Sequence, residues 1–377
     1  MGDSPDGFDE QILELIRGPQ YALTQAEKDA QLTPILSQLC RGIGDRCAAY
    51  GRFLSNLGGD PQAWRHIHDV PPLPVSMFKR FQLSAVPPEK VVRELHSSST
   101  TGQSPSRIFV DKTTAFRQGR ALVSILKEQI GGRRRPFLVL DTEDSVADGD
   151  TLTARGAAIR GVGNFSNQTV FAMEKQPSGD LVPDWDRVTA FFEEHGESPL
   201  LIFGFTFIVW SRFVALAEEH GVRFRAPGTV LLHSGGWKKL TAQAVTPDEF
   251  KSRTGAVLGC DPSNILDFYG MVEQVGTVFL DCSSGYKHAP AFADVVIRRP
   301  YTLEPVDIGE TGIIEVVSTL PTSYPGHALL TEDQGMMLGV DDCSCGRKGS
   351  YFRFTKRIER AEIRGCGDTF AQLRQAH

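Results

Sequence analysis

From residue 97 to about residue 268, short apolar runs of strand length alternate with longer stretches whose apolar side chains recur at helical spacing. The strand candidates are 107–110, 137–141, 200–205, 229–233 and 265–269, and the helix candidates between them are 113–130, 185–195, 207–220 and 247–258. A helix and a strand each need an apolar partner surface, and alternation at this spacing is satisfied most simply by helices packed on a mostly parallel sheet. Beyond residue 268 the helical spacing fades, and strand-like runs follow at 277–281, 295–298, 313–317 and 328–331. Before residue 95 the chain reads as helices and connectors, with Pro71, Pro72, Pro74, Pro87 and Pro88 forbidding a continuous helix there. The expected fold is therefore an α/β body followed by a β-rich section.

Composition narrows the function. With 377 residues, 41% hydrophobic and 23% charged, the chain has the makings of a large folded body. Forty basic against 46 acidic side chains leave a net charge of −6. The triplet Arg133, Arg134, Arg135 opens an apolar run and reads as the solvated entrance to a strand, so no nucleic-acid partner is expected. The first residues are acidic and lack an apolar core, and the most apolar stretch, 199–210, is too short to span a bilayer, so the expectation is a cytoplasmic protein with no membrane span. Seven cysteines, an odd number, point to reduced thiols, metal ligands or a nucleophile, with Cys40, Cys47 and Cys260 read as small buried residues.

The sharpest local signal is the hydroxyl-rich loop Ser97, Ser98, Ser99, Thr100, Thr101, Gly102, Gln103, Ser104, Pro105, Ser106. Hydroxyls and glycine-freed backbone N–H groups can converge on phosphate oxygens, although no Walker sequence occurs and such a loop taken alone need hold nothing. Three further segments each follow an expected strand: His233–Ser234–Gly235–Gly236, Phe268–Tyr269–Gly270–Met271–Val272–Glu273–Gln274, and Thr331–Glu332–Asp333–Gln334–Gly335. Open α/β sheets bind ligands at the carboxyl ends of strands.

In this order the four segments resemble the signature motifs of the adenylate-forming ligase superfamily. The C-terminal stretch Cys343–Ser344–Cys345–Gly346–Arg347–Lys348–Gly349, the run Arg357 to Cys366, the triplet Phe203–Gly204–Phe205 and the closing Arg364–Gly365–Cys366–Gly367–Asp368 narrow the likeness. The chain resembles the acyl-protein synthetases of the LuxE family, relatives of phenylacetate–coenzyme A ligases. The resemblance implies layered α/β subdomains plus a β-rich subdomain, with an adenylating domain over 1–350 and a short C-terminal segment, 351–377, in place of the usual closing domain and its lysine. It implies ATP and Mg2+, a carboxylic acid substrate of the fatty or another apolar class, and an acyl reductase protein as partner.

By the same resemblance, the loop from Ser98 to Ser104 would cradle phosphates and Glu273 would help hold Mg2+. Tyr269, with Gly270 behind it, would lie against adenine, Gly235 and Gly236 would let backbone approach the base, and Asp333 would accept the ribose hydroxyls, with Arg357 as a second ribose or phosphate group. Cys366 would take the acyl group as a thioester. The alternative is direct transfer to coenzyme A, a carrier protein or an amine, and a third reading is a nucleotide-binding regulator without turnover. Where related loops end in lysine this one reads Pro105–Ser106–Arg107, and Arg107 either substitutes or points to solvent. Cys282, His288, Cys343 and Cys345 supply three thiolates and an imidazole, a complete tetrahedral set for structural zinc if the fold unites them, and four scattered side chains if it does not.

Overall fold

The computed structural model describes residues 5–57, 60–97, 105–146, 152–237 and 244–358. Five parallel strands lie in the spatial order Ser166–Phe171, Arg135–Val139, Leu201–Phe205, Val230–Ser234 and Ile265–Gly270. The same sheet continues antiparallel through Val278–Asp281, Lys287–His288, Ser350–Arg357, Ala328–Val340, Thr311–Ser318 and Ala293–Arg298. The change from parallel to antiparallel pairing falls at Ile265–Gly270, where the expected α/β body gives way to the expected β-rich section.

Period-two alternation puts apolar side chains on both faces of Arg135–Val139, Leu201–Phe205, Val230–Ser234 and Ile265–Gly270. Leu138, Ile202, Leu231 and Ile265 face one layer, against Val188, Phe191, Phe213, Phe250 and Val257. Phe137, Val139, Leu201, Phe203, Leu232 and Leu266 face the other, against Leu126, Ile130, Ile159 and Val162. Strands covered on both faces need no polar positions. Full burial of each such side chain contributes about 1.5–3 kcal/mol, so the central sheet is a rigid frame for whatever its strand ends carry. A third core joins the N-terminal helices, among them Gln25–Arg46, to the antiparallel strands through residues such as Leu36, Ile43, Val316 and Leu329.

Four expectations need correction. The segment 207–220 is not one regular helix: Thr206–Ile208 and Ala215–Glu219 are α-helical, and Val209–Val214 between them is a π-helical turn. The wider turn lets Val209, Trp210, Phe213, Val214 and Ala217 all reach the core. The strand expected at 328–331 extends to 13 residues, Ala328–Val340, so Asp333 sits inside a strand instead of after one. Residues 351–357, grouped in the sequence with the C-terminal segment, belong to Ser350–Arg357, paired on both sides within the main sheet. Cys40 and Cys47 are buried as expected, whereas Cys260 is only half-buried. Among the described residues no helix is long and apolar enough to cross a membrane.

Candidate functional site

The switch in strand direction places Tyr269 next to the long antiparallel pair. Tyr269 Oη donates to Asp333 Oδ2 at 2.8 Å, and Asp333 stands directly across from Arg357 in strand register. The Arg357 guanidinium reaches toward both neighbouring carboxylates, 3.8 Å from Asp333 Oδ1 and 3.7 Å from Glu332 Oε2. Burial raises the Asp333 carboxyl pKa, against the lowering pull of the Tyr269 hydrogen bond and the Arg357 charge. The Tyr269 ring stacks on Phe354 at 5.8 Å and meets Phe352 edge-on at 6.0 Å.

Four residues on, Glu273 lies in the short turn Val272–Gln274. Its backbone carbonyl accepts from Tyr324 Oη at 2.9 Å, and Gln274 Nε2 donates to Val316 O and Gly326 O at 3.1 and 2.7 Å, so the turn is pinned from both sides. The carboxyl group is buried and its pKa is raised by that burial, with the Ser106 hydroxyl and the charges of Lys79 and Arg357 pulling the other way. A desolvated carboxylate with cations near it but, among the described residues, none in contact suits a divalent ion. The turn can approach the helix Lys112–Ile130 only because residue 276 is glycine: its φ is +89°, and a Cβ there would stand 2.6 Å from the Gln118 backbone. Gly276→Ala is expected to cost about 1–3 kcal/mol and to shift the Glu273 turn; a thermal melt identical to that of the wild type would show that the close approach carries no such strain.

The hydroxyl-rich loop joins the strands Val91–His96 and Arg107–Asp111, and its base is closed by Ser106 N donating to Ser97 Oγ at 2.8 Å and Ser97 N donating to Ser106 O at 3.2 Å. Ser98, Ser99, Thr100, Thr101, Gly102, Gln103 and Ser104 lie outside the described residues, as does Cys366. Arg107 is half-exposed and donates to Glu94 Oε1 at 2.6 Å across the hairpin, while His96 Nε2 contacts the same oxygen at 2.9 Å. Gly235, after Val230–Ser234, has φ +87°, a conformation that suits glycine; Gly236 faces open space. His233 beside them is held by Thr206 Oγ1 at 3.0 Å, and burial lowers its pKa to about 4, so it is a neutral brace under this turn. Gly270 is exposed and borders a cavity of about 130 Å³ lined by Leu122, Leu126, Val162, Phe205, Phe268 and Met271. A larger groove of about 430 Å³ between the first two helices touches none of the motif residues.

Cys282, His288, Cys343 and Cys345 do come together: their ligand atoms all lie within 4.8 Å of one another. Cys282 Sγ is 4.0 Å from Cys343 Sγ, and Cys345 Sγ is 3.5 Å from His288 Nε2. Zinc bonds of about 2.0–2.3 Å put tetrahedral ligand atoms about 3.3–3.8 Å apart, so small side-chain movements suffice. Backbone N–H groups of Ser284 and Arg347 donate to the Cys282 and Cys345 sulfurs at 3.3 and 3.4 Å, and the buried Nδ1 of His288 has no hydrogen-bond partner. Burial works against the Cys282 thiolate, but hydrogen bonds, chiefly from His288, outweigh it and bring its pKa down to about 6. The donor set and its spacing could hold a zinc ion.

The family model described as "Acyl-protein synthetase, LuxE" matches residues 19–374. The chain belongs to the LuxE acyl-protein synthetase family. Two curated relatives named long-chain-fatty-acid–luciferin-component ligase are similar to it: that of Vibrio harveyi is 25% identical over 143 residues, 38% of this chain and 36% of that protein. That of Aliivibrio fischeri is 24% identical over 160 residues, 42% of each chain. The matched part thus spans less than half the length of either relative. A solved open conformation of 2-hydroxyisobutyryl-CoA ligase, in complex with 2-HIB-AMP and CoA, superposes with a TM-score of 0.65 at 18% identity, over 94% of this chain and 82% of that one. The same ligase in its thioesterification state gives 0.65 at 17% identity, over 94% and 74%. These likenesses establish the fold of adenylate-forming ligases for this LuxE-family chain.

Of the positions singled out in the sequence, Tyr269, Glu273, Asp333 and Arg357 gather in one region, and the four Cys/His residues in another. Sequence reasoning missed Lys79, which meets Glu332 Oε2 at 3.3 Å, and the cavity beside Gly270. Lys79 carries no motif signal, because only the pairing of Leu73–Pro74 with Leu329–Leu330 brings its helix to the site.

Proposed function

We propose that this protein activates a carboxylic acid with ATP and then carries the acyl group on its own cysteine to a partner reductase. The observation that carries acid activation is the family match across residues 19–374. In the first step a carboxylate oxygen bonds to the α-phosphorus of ATP while the bond from that phosphorus to the bridging oxygen breaks, giving acyl-AMP and pyrophosphate. Asp333, held by Tyr269, would accept from the ribose hydroxyls, with Arg357 alongside. The Tyr269 ring and the backbone at Gly235, Gly236 and Gly270 would flank adenine. Residues Ser98 to Ser104 would donate to the phosphates. Glu273 would hold Mg2+, which when bound neutralises charge on the transferring phosphoryl group.

The acid's apolar end would occupy the cavity beside Gly270, whose lining is hydrocarbon and aromatic. The names of the two curated relatives support a fatty acid as its occupant. In the second step the Cys366 sulfur would bond to the acyl carbon as the carbon–oxygen bond to AMP breaks, the thiol proton passing to solvent. The thioester is then the form a cysteine of the reductase could accept. A cytoplasmic setting, which keeps thiols reduced, belongs to this reading. With a fatty acid, ATP, Mg2+ and hydroxylamine, the protein should yield AMP and a hydroxamate; formation of ADP instead would contradict adenylation.

Cys282, His288, Cys343 and Cys345 would hold a structural zinc joining the Val278–Asp281 strand to the turn ahead of Ser350–Arg357. With four protein ligands no position is left open, so the ion would add folding stability and no chemistry. Protein purified without added metal should contain about one zinc per chain, and Cys343→Ser should lose zinc and melt at lower temperature. Metal-free protein with an unchanged melt would contradict the assignment.

A further inference from the structure

We propose that Lys79 is the cation that binds the β- and γ-phosphates of ATP in this protein; the assignment rests on the adenylation reading above. Lys79 lies on the four-residue helix Met77–Arg80, within a proline-rich segment that precedes the hydroxyl-rich loop and belongs to none of the motifs. That helix is tied to the site by backbone: Leu73 and Pro74 pair in parallel with Leu329 and Leu330, and Val75 N donates to Leu330 O at 2.9 Å. The strand thus grasped continues directly into Thr331, Glu332 and Asp333.

Lys79 Nζ accordingly stands 3.3 Å from Glu332 Oε2, its side chain mostly buried, and its charge bears on the Glu273 carboxylate as well. The ammonium therefore lies beside Glu332, the chain neighbour of the carboxylate proposed for the ribose, Asp333, and within electrostatic reach of the one proposed for the metal, Glu273. A nucleotide joining those two positions carries its phosphates past it. An ammonium paired with a single carboxylate keeps two further N–H donors for phosphate oxygens.

The competing cation, Arg107, is engaged elsewhere. Its guanidinium donates to Glu94 and lies 5.3 Å from the centre of the Phe109 ring, at the loop end of the hairpin. Lys79 thus meets the need for positive charge that the loop ending Pro105–Ser106–Arg107 leaves open.

The test is the ratio of ATP to AMP affinity, measured by calorimetry with Mg2+ on wild type, Lys79→Ala and Lys79→Arg. A charge-assisted contact to phosphate is lost in Lys79→Ala, which should weaken ATP binding about 10- to 150-fold while AMP binding barely changes; Lys79→Arg should restore part of the loss. A variant whose ATP and AMP affinities fall together has lost structure, not a phosphate contact, and would overturn the assignment. A wild type that prefers ATP, with the same preference in Lys79→Ala, would overturn it while leaving adenylation standing. A wild type that binds neither nucleotide would overturn both.

Discussion

Replacing Glu273 with Gln should leave the protein folded and lower acid-dependent ATP–pyrophosphate exchange by at least about 100-fold, the order lost when one charge-stabilising group is removed from a reaction centre. The two halves of this expectation share one cause. Burial raises the Glu273 carboxyl pKa, which means the fold tolerates the charged form at a cost and the neutral amide has no such cost to bear. Glutamine has the same shape and leaves the backbone anchors from Tyr324 and Gln274 in place. An amide oxygen without net charge is a poor partner for Mg2+, so the loss falls on chemistry. Equal melting temperature with abolished exchange is the expected pair of results. Exchange at the wild-type rate would remove Glu273 from the metal site.

Cys366→Ser should show the opposite division: exchange close to that of the wild type, and complete loss of hydroxylamine-labile labelling of the protein by radioactive acid. Adenylation precedes thiol attack, so the first half-reaction does not need the sulfur, whereas a serine hydroxyl is far too weak a nucleophile to replace a thiolate. Arg360 and Arg364 precede it closely in sequence and would favour the thiolate. Labelling that persists in the variant, or wild-type protein that exchanges briskly and is never labelled, would favour direct transfer to coenzyme A, a carrier protein or an amine.

Local chemistry made much of the fold readable before any coordinates. The helix Pro247–Leu258 is bounded as its sequence requires, with Thr246 accepting from Glu249 N at 3.2 Å, Pro247 in the first turn and Gly259 past the end. The central parallel strands announce themselves because both faces are buried and most positions are apolar. Where strands are half-exposed that signal vanishes: Ser166–Phe171 carries Asn167, Gln168 and Thr169, and Ser350–Arg357 carries Arg353, Lys356 and Arg357. The run Thr331–Gly335 reads as a turn because polar side chains and glycine cluster there, yet ladder pairing carries the strand through with a register shift between Gln334 and Gly335.

The candidate site divides on the same line. Tyr269, Glu273 and Asp333 stand in ordered motifs, and the Cys/His spacing matches a hairpin that closes them together. Lys79 and the cavity beside Gly270 are products of tertiary packing alone, assembled from segments that no local pattern connects.

Acid-dependent ATP–pyrophosphate exchange by the wild-type protein, screened over acids of increasing chain length, tests the central claim most directly. Acid activation through an acyl-adenylate predicts label from pyrophosphate entering ATP only when an acid is present, with a maximum at those acids whose apolar end fits the cavity. Binding of ATP without exchange for any acid would contradict it, and would leave a nucleotide-binding regulator as the reading of this fold.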